Sequence, residues 1–387
     1  MKKKSIATFA ILCALSSSAF AWGEFDYGGN NGVQIYGILD MGLTLQKNRG
    51  ETYSLKTTAG NTWGSRVGLK GSTPISGSTL AWFNLEAGLA PWEGASQDTS
   101  KIFHRQSLVG LAGDWGEIGL GRVAGLSSDT GRYCILTGYV GNSTGFVSTQ
   151  NILSSFMVSD RYNNMVVYRS PEISNTQISV AFSNNMYGDD NGRWSKDSHY
   201  YGIGATYGQR ALPLKLGMIV EAFDYPDSRH ASYLINAGGT YNFGPVTVGL
   251  MYEYGSHSSM IPGIFNTDGY GLTFADESIG HDNTVEADFH AVSVGMGGMV
   301  AGGFASIQGT YGIGKLDKNN VNVRTLGDHK FDSWSVGVSY YYPLSKQTSV
   351  YANGSVAGYG KAFNDRKLSN GRSLDGYSVT TGIVHMF

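Results

Sequence analysis

From Val33 the chain alternates between apolar and polar positions. Odd positions read Val33, Ile35, Gly37, Leu39, Met41, Leu43 and Leu45, and even ones read Gln34, Tyr36, Ile38, Asp40, Gly42, Thr44 and Gln46. Period two sends successive side chains to opposite faces, so this stretch predicts a strand with one apolar and one mostly polar face. It is longer than the ~5–6 residues usual for a soluble strand. The same alternation returns at 201–208, 246–255 and 333–342. About sixteen strands are predicted, a number within the range of outer-membrane barrels. Their centres fall at 35–44, 65–71, 80–88, 104–113, 116–121, 162–168, 177–183, 200–207, 214–222, 233–241, 246–254, 288–296, 304–312, 333–341, 349–357 and 376–387.

Connections come in two sizes that take turns along the chain. The tight ones are 72–77, 113–116, 170–176, 209–212, 242–245 and 343–346. The long polar ones are 47–61, 91–101, 123–160, 185–196, 224–230, 256–284, 315–330 and 361–373. Such sorting predicts an all-β, antiparallel up-and-down barrel with short turns at one end and long loops at the other. The segment 123–160 keeps no steady period and exceeds the ~12–15 residues usual for a structureless connection. It is predicted to fold inward and narrow the enclosed hole.

Composition fits an exported, membrane-embedded barrel. The basic Met1–Lys4 start, the apolar run 6–15 and the small-x-small Ala19-Phe20-Ala21 predict a signal peptide over 1–21, leaving a barrel domain over 22–387. Without Lys2, Lys3 and Lys4 the chain carries 25 basic and 30 acidic residues, a net charge of −5. That excludes the basic stripe of a nucleic-acid binder. Cys13 leaves with the signal and Cys134 stands alone, so no disulfide framework is predicted. The 55 Gly and 24 Tyr against 8 Pro suit strands and aromatic girdles, for which Tyr168, Tyr254, Tyr342 and Tyr377 are candidates.

Charges inside strands locate the lumen. Val67 and Leu69 define the lipid face of 65–71, so Arg66 and Lys70 face inward; an Arg facing mid-bilayer lipid would cost roughly 2–4 kcal/mol. Asp40 falls on the polar side of the first strand, and Arg122 closes the fifth. Arg105 and Arg161 are candidates for the same wall, although Val109 and Leu111 share the parity of Arg105, and Met165 and Val167 that of Arg161. Permanently charged guanidiniums across from a loop whose acids are Asp129 and the terminal Asp160 predict a weak preference for anions.

Several stretches then resemble the general diffusion porins of the Gram-negative outer membrane. They are Val33-Gln34-Ile35-Tyr36-Gly37, Ser65-Arg66-Val67-Gly68-Leu69-Lys70-Gly71, His104-Arg105-Gln106 with Val109-Gly110-Leu111, and Gly119-Leu120-Gly121-Arg122. The run from Arg161 to Pro171 and the terminal Gly382-Ile383-Val384-His385-Met386-Phe387 complete the set. The resemblance implies a sixteen-stranded barrel, a homotrimer, and a third outer loop folded into the lumen opposite Arg66, Arg105 and Arg161. It implies passage of small hydrophilic solutes and ions, without a cofactor, through a membrane of lipid and lipopolysaccharide. The second long loop, 91–101, would latch onto a neighbouring subunit, and Phe387 would signal to the barrel-assembly machinery. Where many relatives carry a Pro-Glu-Phe-Gly-Gly-like turn with acids at the loop tip, this chain reads Tyr139-Val140-Gly141-Asn142-Ser143-Thr144-Gly145.

Other chemistry is thin. No His-Glu-x-x-His, Cys-x-x-Cys or phosphate-loop pattern occurs, and Gly119-x-Gly121-x-x-Ala124 lacks the strand–turn–helix setting of a dinucleotide site. His199, His257, His281 and His329 fall in or beside outer loops, and Asp268, Asp276, Glu277 and Asp282 read as a solvated loop or a hard-cation site. Two alternatives to a general channel remain. A sugar- or organic-anion-specific barrel would want inward aromatics, and a barrel enzyme would want a Ser/His set at one rim.

Overall fold

The computed structural model describes residues 32–48, 50, 52–128, 130–135, 160–188, 194, 197–208, 212–225, 230–258, 286–317, 329–361 and 375–387. The expected export signal, the loop acid Asp129, and all of 136–159 and 259–285, including His281, Asp268, Asp276, Glu277 and Asp282, lie outside the described residues. Among the described residues there are eighteen strands: β1 (Val33–Asn48), β2 (Ser54–Ala59), β3 (Arg66–Ser76), β4 (Thr79–Ala90), β5 (Ala95–Ser96), β6 (Gln106–Gly113), β7 (Gly116–Ala124), β8 (Arg161–Arg169) and β9 (Thr176–Asn184), followed by β10 (His199–Tyr207), β11 (Leu214–Asp224), β12 (Ser232–Asn242), β13 (Val246–Ser258), β14 (Ala287–Val300), β15 (Gly303–Leu316), β16 (Lys330–Pro343), β17 (Thr348–Lys361) and β18 (Gly376–Met386).

The barrel wall has sixteen positions. With β2 and β5 set aside, each strand pairs antiparallel with its sequence neighbour, and β18 closes on β1 from Ile38↔Met386 to Asn48↔Gly376. Strands β2 and β3 share one position: β2 covers Met41–Gln46 of β1, and β3 covers Val33–Ile38. Strand β5 is a two-residue addition beside β4. Closure leaves no open edge in the hydrocarbon, where an unpaired N–H or C=O would cost several kcal/mol.

The segment expected as a loop at 47–61 therefore contains a strand. The long β1 would otherwise present unpaired backbone groups at Met41–Gln46, and Ser54–Ala59 fills that gap. The turn between β2 and β3 is pinned by Asp40. Its Oδ2 accepts from Thr62 N (2.6 Å), Thr62 Oγ1 (2.7 Å) and Trp63 N (2.9 Å), and its Oδ1 from Tyr351 Oη (2.5 Å). Asp40 faces inward as expected, but it is a fully buried anchor rather than a lumen charge: four donors saturate it.

Alternation sorts the two faces. Leu214, Leu216 and Met218 of β11 are exposed to lipid while Ile219, Glu221 and Phe223 are buried within. Exposed aromatics stand in two belts. Trp115, Tyr168, Tyr207, Tyr241 and Tyr342 lie near the short turns, and Tyr201, Tyr233, Tyr252, Trp334 and Tyr377 nearer the long loops. On β12 and β16 the belts are eight residues apart, from Tyr233 to Tyr241 and from Trp334 to Tyr342. That is about 26 Å of strand, or about 20 Å along the membrane normal at the usual tilt, within an apolar band of about 25 Å.

Candidate functional site

Two structures meet inside the barrel, a set of basic side chains on the wall and the first part of the long loop after β7. The loop does fold inward over its described residues. It leaves β7 at the long-loop end, yet Arg132 reaches Glu117, the second residue of β7 at the opposite end. Arg132 Nε donates to Glu117 Oε1 (3.0 Å) and Nη2 to Oε2 (2.5 Å), and Arg169 of β8 donates to the same carboxylate (3.0 Å). The Arg132 guanidinium also lies 3.9 Å from the centroid of the Trp82 ring. Leu126, Tyr133 and Ile135 join Trp82, Leu108, Tyr162, Tyr200 and Ile219 in one buried cluster.

The loop then grips the wall at β10 and β11. Leu126 N donates to Tyr200 Oη (3.0 Å), Ser127 N donates to Glu221 Oε1 (3.1 Å), and Ser127 Oγ donates to Glu221 Oε2. Tyr200 Oη donates in turn to Glu221 Oε1 at 2.5 Å. Glu221 is fully buried, so these donors replace the water it lost.

The arginines collect beside this loop. Arg66 Nε donates to Gly64 O (2.7 Å), and its Nη1 lies 3.7 Å from Glu86 Oε1. Arg105 Nε donates to the same oxygen at 2.8 Å, and Tyr36 Oη to Glu86 Oε2 at 2.9 Å. Arg105 Nη2 (3.3 Å) and Arg161 Nη2 (2.9 Å) both donate to Thr130 Oγ1 of the loop. The expected trio is thus brought together with one shared carboxylate and one loop hydroxyl. The ambiguous parities have a simple cause. Arg105 precedes β6 rather than belonging to it, and a register shift between Gly121 and Val123 leaves Tyr162 and Met165 both buried inward.

The remaining candidates stand apart from this group. Lys70 faces inward, 5.8 Å from the Tyr36 ring centroid. Arg122, expected as a lumen charge, is half-buried at the register shift between Gly121 and Val123. Its guanidinium is held by His104 O and Asn163 Oδ1, both at 2.7 Å. Phe387 pairs through its backbone with Gly37 (2.9 and 3.1 Å), and its ring lies over that glycine.

Sequence reasoning missed Glu86, Thr130, Glu117, Arg132, Glu221 and His104. Glu86 carried a usable signal, because Phe83, Leu85 and Ala87 set the lipid parity of β4 and put Asn84 and Glu86 opposite. His104 lies just outside β6 among the arginines. Burial, followed by Arg161, lowers its pKa below the usual 6.5. In the second long loop, Asp98 Oδ1 accepts from Ser100 Oγ and N (both 2.7 Å), and these bonds lower its pKa.

Comparison with known proteins places this architecture. The family model described as "Gram-negative porin" matches residues 7–361. An outer membrane porin protein of Bordetella pertussis is 26% identical, with all of both chains covered. Among solved structures, the anion-selective porin from Comamonas acidovorans superposes with a TM-score of 0.64 at 20% identity, covering 92% of this chain and 100% of that one. The trimer form of Vibrio cholerae OmpT gives a TM-score of 0.58 at 12% identity, covering 92% and 99%.

Proposed function

Because this chain belongs to the Gram-negative porin family and forms an outer-membrane channel, we propose that it is a general diffusion pore for small hydrophilic solutes and ions, with a weak preference for anions. One observation carries the selectivity: around Thr130, the guanidiniums of Arg66, Arg105 and Arg161 face a single carboxylate, Glu86, among the described residues. Three guanidiniums thus crowd around one loop hydroxyl, and arginine keeps its charge across the physiological range. Fixed charges lining a narrow pore screen ions by sign. The loop adds shape, since its buried side chains occupy the β4–β11 side of the interior while the facing strands offer Ser293, Thr310, Ser335 and Thr380.

Reversal potential in a planar bilayer under a salt gradient tests this reading. Wild type is expected to favour anions. The Arg66→Ala/Arg105→Ala double variant leaves Glu86 without its arginine partners and is expected to lose that preference or reverse it. Unchanged selectivity would move the filter away from the arginines, and no conductance from folded protein would sink the pore itself.

The channel is further proposed to work as a homotrimer, the assembly named for the trimer form of Vibrio cholerae OmpT. Residues 91–101, with the turn organised by Asp98, are the proposed latch to the neighbouring subunit. Deleting 95–99 is expected to shift unheated protein toward monomer in a native gel without altering the heated band. A trimer of unchanged stability would rule out the latch.

A further inference from the structure

Three strand ends converge on the long-loop rim, away from the arginines. His230 lies just ahead of β12, Glu286 just ahead of β14, and Asp317 just past β15. His230 Nδ1 is 3.0 Å from Glu286 Oε2 and 3.9 Å from Asp317 Oδ2. One ligand atom from each of the three lies within 4.8 Å of the others. We infer that His230, Glu286 and Asp317 form a divalent transition-metal site, fitted to Zn²⁺, that ties these three strand ends together.

The donor set and its spacing favour that ion. Tetrahedral Zn²⁺ with nitrogen and oxygen ligands at about 2.0–2.2 Å places those ligands about 3.4 Å apart. The observed 3.0 and 3.9 Å bracket this value. An imidazole with two carboxylates suits zinc and its neighbours, whereas Ca²⁺ takes six to eight oxygens and Mg²⁺ prefers oxygen donors with retained waters. Three protein ligands also leave a fourth position for water.

A second observation comes from Glu286 itself. It is only 5% exposed, and its Oε1 is buried with no hydrogen-bond partner among the described residues. A buried carboxylate oxygen without donors costs free energy, and a cation held by both Glu286 oxygens would satisfy Oε1 together with Oε2, the oxygen now hydrogen-bonded to His230 Nδ1. The surroundings hold the ligands in place. Asp317 N donates to Glu286 O at 2.8 Å, fixing the two acids on adjacent strand ends. The His257 ring packs beside His230, with centroids 4.5 Å apart and planes tilted by 38°.

Zinc chloride titrated calorimetrically into the folded full-length protein in detergent tests the site. One Zn²⁺ per chain is expected. Glu286→Gln and Asp317→Asn should each weaken binding about tenfold or more, while His290→Gln, outside the cluster, should retain it. A tenfold excess of Ca²⁺ should not displace the zinc. On wild-type protein alone, Zn²⁺ should also protect His230 from diethylpyrocarbonate, read by mass spectrometry. Equal zinc affinity in both carboxylate variants, absence of a saturable site, or a His230 modified equally with and without Zn²⁺ would each overturn the assignment.

Discussion

Glu86 ties Arg105 closely, at 2.8 Å, and Arg66 loosely, at 3.7 Å, while Arg161 is held by the Thr130 hydroxyl. Into this group His104 brings the one side chain whose charge changes near neutral pH. Its folded pKa lies below the unfolded 6.5 because burial and then Arg161 disfavour the imidazolium. The unfolded chain therefore takes up the proton first. The stability contributed by neutral His104 is present above pH 6.5 and is lost as pH falls toward the folded value. Below that value an added positive charge joins Arg161 and Arg105. Anion preference should thus rise as the pH is lowered below the folded value, and His104→Gln should flatten the change. Reversal potentials taken above and below that value measure it, and a rise that persists in the variant would assign the titration elsewhere. Arg66 was legible because Val67 and Leu69 fix its parity, and the same count applied to Leu85 and Ala87 reveals Glu86. Glu221 was not legible, since its partner Ser127 is 94 residues away and only folding unites them.

The inward loop and the closing strand show what the elements depend on. At Glu221 one carboxylate accepts from Ser127 N, Ser127 Oγ and Tyr200 Oη. Glu221→Gln keeps the shape but weakens charge-assisted bonds worth about 1.5–3 kcal/mol each. The loop should detach more often, seen as larger or noisier single-channel steps; steps identical to wild type would assign its anchorage to Arg132 and Glu117. At the barrel seam the Phe387 ring covers Gly37, where an added Cβ would come within 2.3 Å of a ring carbon. Gly37→Val should displace that ring and lower the temperature at which the folded band disappears on a gel, whereas Gly309→Ala, with no atom nearer than 3.8 Å, should leave it unchanged. The sequence disclosed sixteen wall positions through alternation and the rhythm of short and long connections. It hid β2, whose burial runs exposed at Ser54, Leu55, Lys56 and Thr57 and so carries no two-sided signal. Only the excess length of β1 called for a partner there.

At the scale of the whole molecule, lipid surrounds a polar interior, so residues of opposite parity on one strand should answer the same substitution in opposite ways. Val338 on β16 is 49% exposed and lies midway between the belt residues Trp334 and Tyr342. Its strand-mate Ser335 has inward parity, beside buried Ser333 and Gly337. An arginine at Val338 faces the hydrocarbon at its centre, where the cost is about 2–4 kcal/mol. Long side chains reach water by snorkelling from strand ends, but from mid-strand the distance to either belt is about 13 Å. The same arginine at Ser335 stays in the wet lumen, costs the fold little, and adds one positive charge to the pore. Denaturant titrations of folding into lipid vesicles should therefore show a large loss for Val338→Arg and a small one for Ser335→Arg. In bilayers only Ser335→Arg should strengthen anion preference. Equal losses at the two positions would mean that the faces are not divided between lipid and water, and a larger loss at Ser335 would turn the barrel inside out. The outcome depends on no single loop or site, only on which side of the wall each side chain meets.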